Sequence, residues 1–117
     1  MALQYGTVSA ETSFISGDAI YESKETLSAP GTGKDIILPD NTGHFDSVLV
    51  SLIVSGGGQG KIQYSLSNRA DIIAGTANWF DWDLGSVNTN ENDVLYHVSG
   101  VRLVNSAGTT VIEVRWV

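Results

Sequence analysis

The 117-residue chain contains no cysteine, so neither disulfides nor thiolate-held metals contribute to its fold. That absence fits synthesis in a reducing compartment. Basic residues are also scarce: six stand against thirteen acidic ones, a formal charge of −7. Such a chain repels a phosphate backbone, and no basic run offsets the repulsion, so nucleic-acid partners are not expected. No apolar stretch approaches the roughly 20 residues of a membrane-spanning helix. The opening "MALQYGTVSAETSF" has neither the basic start nor the apolar run of a signal peptide. Together these features predict a protein made in the cytosol with no membrane partner.

Helical periodicity is nearly missing as well, and what replaces it is alternation. Apolar residues make up 42% of the chain, enough to build the core of one domain. "DSVLVSLIVS" (46–55) places Val48, Val50, Leu52 and Val54 on one face. "SGGGQG" (55–60) reads as a hairpin or longer glycine-rich connection. "KIQYSLS" (61–67) follows, with Ile62, Tyr64 and Leu66 facing inward. "DVLYHVSGVRLVN" (93–105) is a β region broken or bulged at Gly100, "NSAG" (105–108) a turn, and "TTVIEVRWV" (109–117) a last strand. In that strand Ile112, Val114 and Trp116 alternate with Glu113 and Arg115.

The first 45 residues are less regular. "IYESKETLS" (20–28) and "DIILP" (35–39) read as strands, whereas residues 1–18 form an arm or edge strand. About six to eight short strands with glycine-rich turns predict a single antiparallel β-sandwich or jelly-roll-like barrel over residues 19–117.

Catalytic and ligand motifs are incomplete wherever they begin. "APGTGKD" (29–35) lacks the first glycine and the post-lysine hydroxyl of a phosphate-binding loop, and a strand rather than a helix follows it. "SGGGQG" fails the dinucleotide pattern because Lys61 occupies the last glycine position. His44 with Asp46 makes two metal ligands and no third; His97 stands apart, and no serine sits in a nucleophile elbow. "NTNENDV" (88–94) lacks the glycine and terminal glutamate of a helical calcium loop. Asp81, Asp83 and Glu91 supply carboxylates for glycoside hydrolysis only by free choice among thirteen. No catalytic residue, metal or cofactor is expected.

The informative stretch is "ANWFDWDLG" (77–85). At strand period Phe80, Trp82 and Leu84 share a core face, and Trp79, Asp81 and Asp83 share the other. The expected core is therefore Val50, Leu52, Ile62, Tyr64, Phe80, Trp82, Leu84, Leu103 and Val114. Trp79, Asp81 and Asp83 are interface candidates, because a tryptophan rimmed by charge is a frequent binding anchor. Leu3, Tyr5, Phe14 and Ile15 in the N-terminal arm join them, as apolar side chains without a firm period.

The order of these motifs resembles that of small β-sandwich virion proteins of tailed bacteriophages. The resemblance covers roughly residues 46–117. It rests on Tyr64 and Ser65, on Ala74, Gly75, Thr76, Ala77, Trp79, Trp82 and Gly85, and on Val101, Arg102 and Leu103. It implies a non-enzymatic capsid cement or decoration protein that bridges subunits of a major capsid protein or other virion proteins. It further implies a homo-oligomer, with a trimer favoured, assembled in the host cytoplasm and carried on the virion. A carbohydrate- or receptor-binding module of a fibre or tail is the alternative, and what covers Trp79 separates the two.

Overall fold

The computed structural model describes residues 13–15, 20–37 and 47–116. In chain order these form β1 (Ser13–Ile15), β2 (Ile20–Leu27), β3 (Gly31–Thr32), β4 (Ile36–Ile37), β5 (Ser47–Ser65), α1 (Arg69–Ala74), β6 (Phe80–Asp81), β7 (Glu91–Tyr96) and β8 (Gly100–Trp116). All strand pairs are antiparallel and belong to one sheet.

Two long strands organise it. β5 and β8 pair from Val48–Trp116 at one end to Ser65–Gly100 at the other. At about 3.3 Å per residue, a straight strand of β5's length would run about 60 Å. The longest principal extent of the molecule is 38 Å. The ribbon therefore folds over, and its two halves face each other across a shared core. The larger half joins the start of β5 to the end of β8, with β2 and β1 beyond β8 and β7 beyond β5. The smaller half carries β3 and β4 beside β8 and β6 beside β5.

The core draws on both halves. Val48, Val50, Leu52, Ile112, Val114 and Trp116 come from the larger one. Ile36, Ile62, Val101 and Leu103 come from the smaller, and Trp82 and Val98 complete the cluster. Burial of this apolar surface is the main driving force, at roughly 1.5–3 kcal/mol for each fully buried large side chain.

The fold-over is built from a bulge. Between Ser55 and Gly60 β5 takes five steps while β8, from Thr109 to Asn105, takes four. The slip reverses which residues of β8 point inward: Val101, Leu103 and Asn105 on one side of it, Thr110, Ile112, Val114 and Trp116 on the other. Backbones come very close here. A Cβ on Gly58 would lie 2.4 Å from the Thr109 carbonyl oxygen. Gly108, at φ +58°, has no room for one beside Gly56, Gly57 and Gly58. Asn105, 2% exposed, clasps the bend from inside. Its amide donates to the carbonyls of Ala29 (3.0 Å) and Gly108 (2.9 Å), and its carbonyl oxygen accepts from the Thr110 hydroxyl (2.9 Å).

The antiparallel all-β expectation holds, with several local corrections. "SGGGQG" is a bend within one strand, because the chain continues along β8 instead of reversing. "NSAG" lies inside β8 for the same reason. The break between β7 and β8 falls at 97–99, where His97 takes a positive φ. Residues 69–74 are helical: Asn68 caps the start by accepting from the Asp71 amide, and Gly75 ends the helix in the left-handed conformation.

Val50, Leu52, Ile62, Trp82, Leu103 and Val114 are buried as expected, and Tyr64 is half-buried. Phe80 and Leu84 are not core residues; they are 50% and 41% exposed. β6 is a two-residue strand at the edge of the sheet; it sets Phe80 opposite Tyr64 with no further strand paired beyond it among the described residues, so one flank of the ring stays open. The Trp82 amide then donates to the Ile62 carbonyl, drawing the indole inward, where its N–H donates to Gly85 O at 2.7 Å. Leu84 falls in the turn closed by Gly85 N–H to Trp82 O and has left the strand period. Leu66, also expected to face inward, lies past the end of β5 and is 58% exposed.

Removing the clasp should cost more than filling open space at the same bend. Asn105→Ala and Gly108→Ala are each expected to lower unfolding free energy by about 2 kcal/mol, through unpaired buried groups and backbone clash respectively. Gly57→Ala, with a positive φ but nothing within 4 Å of the new Cβ, should cost only about 1 kcal/mol. Urea denaturation of the three variants checks the ranking.

Candidate interaction site

Alternation correctly places Trp79 and Asp81 off the core, on the outer face of the smaller half. There the register sets Gln63 between Asp81 on β6 and Arg102 on β8. The Gln63 side-chain carbonyl accepts from Arg102 Nε at 2.8 Å, and its amide donates to Asp81 Oδ1 at 2.9 Å. Lys61 Nζ donates to Asp81 Oδ2 at 3.1 Å. At the far end Arg102 Nη1 lies 3.9 Å from Asp35 Oδ1. Asp35, Arg102, Gln63, Asp81 and Lys61 thus form one polar chain across the face.

Trp79 closes over this chain. The Arg102 guanidinium lies 4.2 Å from the centroid of its ring, a cation–π contact. The ring also reaches Gly100, where an added Cβ would stand 3.7 Å from the indole. α1 covers the same corner through Ile72, which is 2% exposed and approaches Gly100 as well. Trp79 is half-buried, and its cover is its own chain.

The charges respond to this arrangement. Partial burial pushes the Asp35 carboxyl above its ordinary 3.8, and Arg102 pulls it partly back. Desolvation lowers the Arg102 pKa below the ordinary arginine range, with Asp35 opposing. Hydrogen bonds from Gln63 and then Lys61 hold Asp81 below 3.8.

The remaining sequence candidates separate. Asp83 is exposed, two residues after Asp81 but outside the polar chain. Phe14 and Ile15 stand opposite Tyr21 and Ile20 in the β1–β2 pairing, so this part of the arm is an edge strand. Leu3, Tyr5, His44 and Asp46 lie outside the described residues. Other candidate oxygens are engaged locally. The Thr89 hydroxyl donates to Glu91, Asn90 accepts from the Val54 amide, and Asp93 accepts from the Val94 amide. Among the described residues no group of three or more histidine or carboxylate side chains is placed to hold a metal.

Two surface features escaped the sequence reading. Phe80, 50% exposed, leans against the half-buried Tyr64, centroids 5.9 Å apart, at the β6 edge of the sheet. Leu49, Val94 and Tyr96 expose apolar surface on the outside of the larger half. A consistent alternation signal was present for Leu49 and Val94, but only the pairing of β5 with β7 brings them side by side.

A double-mutant cycle on Trp79→Ala and Arg102→Ala should return a coupling of about 1 kcal/mol in urea unfolding. The two carboxylates should act with opposite signs on stability against pH. Asp81, lowered in the fold, stabilises above 3.8 and loses that contribution as pH falls through its folded value, so Asp81→Asn should flatten the acid limb. Asp35, raised in the fold, favours the native state while protonated and loses this as pH rises through its folded value. Asp35→Asn should remove that decline. Unfolding midpoints measured from acid to neutral pH separate the two.

Comparison with protein-family models, with curated proteins and with solved structures finds no match to this chain.

Proposed function

We propose that the protein is a non-enzymatic structural component of a tailed-phage virion, a capsid cement or decoration protein that bridges subunits of the assembled head. The motif order from Tyr64 to Leu103 prompts the phage reading. The observation that carries the docking part is the exposed Phe80 ring beside Tyr64. Phe80 sits at the sheet edge with its ring tilted against that of the half-buried Tyr64, and Leu66 is exposed directly after β5. An apolar seat on a chain of charge −7 suits a partner whose contact surface is apolar with basic side chains around it.

The mechanism is linkage. A subunit that binds the assembled lattice and not its separated parts stabilises the shell by RT ln(1 + [L]/Kd) per site. An outer-surface position follows from charge, since the inner wall faces packaged DNA. The carbohydrate-binding alternative loses support because Arg102 occupies a face of Trp79 and Asp81 is engaged by Gln63 and Lys61.

Heads assembled without this protein should lose resistance to heat and low salt, and adding it back should restore both. A Phe80→Asp variant should fold, because Phe80 lies outside the core, yet fail to restore resistance. Unchanged head stability without the protein, or a glycan-array hit abolished by Trp79→Ala, would sink the cement reading.

A further inference from the structure

We propose that the outer face of the larger half pairs with the same face of a second copy of this chain. The two-fold axis runs across the strands. The pairing does not rest on the virion reading, and it differs from the trimer that the family resemblance implies.

Two rows of side chains cross this face from β2 through β8 and β5 to β7. Register sets Glu22 beside Arg115, Arg115 beside Leu49, and Leu49 beside Val94. The next row outward-facing is Lys24, Glu113, Ser51 and Asn92. Arg115 pairs with Glu22, and Lys24 lies 4.0 Å from Glu113. The charges therefore form a two-by-two checkerboard. A shallow hollow of about 450 Å³ opens above it, with Leu49 and Ser51 along one side.

This pattern is complementary to itself. A two-fold axis lying between the rows exchanges them, so each residue meets, in the second copy, the residue of the same strand in the other row. Glu22 then faces Lys24, Arg115 faces Glu113, and Leu49 enters the space that the small Ser51 leaves open. Val94 meets the uncharged Asn92. Sheets packed face to face lie about 10 Å apart, a spacing that side chains of this length bridge.

Charge also selects this face over others. Its two acidic and two basic residues cancel, which leaves eleven acidic and four basic residues for the rest of the chain. On this face the charges that meet are of opposite sign, and the chain's surplus of −7 lies elsewhere. Leu49 and Val94, each 40% exposed, and Tyr96 at 65% supply apolar area to be covered.

Sedimentation velocity on the isolated protein, from about 10 µM to about 1 mM, should show twice the chain mass at the upper end. The deciding variants exchange charges without changing their sum. Lys24→Glu with Glu113→Lys keeps a pair within the chain but sets like charges opposite each other across the axis, so dimerisation should weaken at least tenfold. Adding Glu22→Lys and Arg115→Glu inverts the whole checkerboard and should restore it. Leu49→Ser, an exposed change that leaves the core untouched, should weaken dimerisation with the fold intact by circular dichroism. A chain monomeric throughout, a threefold assembly, or a double charge exchange that dimerises like the wild type would overturn the proposal.

Discussion

Everything in this molecule follows from the need to fold one long two-stranded ribbon in half. β5 and β8 are paired over nearly their full length, so the sandwich has no independent second sheet to recruit. Its two layers are the same strands before and after a bulge. The bulge must therefore do three things at once: bend the ribbon, change the facing residues of β8, and leave no buried backbone group unpaired. Glycine at 58 and 108 permits the bend, and Asn105 satisfies the polar groups inside it. The inward row of β8 changes parity there, which puts Leu103 and Ile112 into one core although they are nine positions apart.

Folding in half also gives the molecule two outer faces with different chemistry. On the smaller half, each charged group of the polar chain contacts a neighbour within it, and Trp79 closes over Arg102. Such a face is shaped for rigidity, because adding a ligand there means breaking contacts already made. On the larger half the charges are paired only along the surface, and apolar side chains stand uncovered beside them. Exposed pairs of this kind contribute little to folding. Their arrangement matters more for what can approach than for what holds the chain together.

Most of the fold was legible because alternation is a local signal. Val48, Val50 and Leu52, then Ile112, Val114 and Trp116, declare their faces without knowledge of partners. What could not be read locally was connectivity. "SGGGQG" has the composition of a hairpin, and only its pairing with Ala107 and Asn105 on a neighbouring strand makes it a bend. The helix, by contrast, was present in the sequence. Asn68, Asp71 and Gly75 supply its cap, first-turn acid and C-terminal stop, but six residues are too short to show a helical period. In "ANWFDWDLG", alternation places Trp79, Asp81 and Trp82 correctly and misplaces Phe80 and Leu84. The period tells which way a side chain points, whereas burial also needs core above it. For Phe80 the sheet has ended, because β6 is its edge, and for Leu84 the strand has. Arg102 as the cover of Trp79 lies twenty-three positions away, so no spacing within the segment announces it.

The distribution of cations links these features to function. Of six basic side chains, Lys24, Lys61, Arg102 and Arg115 each approach a carboxylate of the same chain. The chain's positive charge is thus largely matched internally, and the surplus is carboxylate. Asp83, on the turn beyond Trp82, belongs to that surplus on the exposed surface. The surplus is a constraint on partners more than on the fold, since among the described residues no ionisable side chain is fully buried. Under the proposed docking, a basic partner surface suits a chain of charge −7 better than a second copy of the chain does. The balanced face is where the proposed second copy meets matched charges. The proposed self-pairing, where charges cancel, and the proposed docking to a foreign basic surface, where they do not, would then occupy separate parts of one small sandwich.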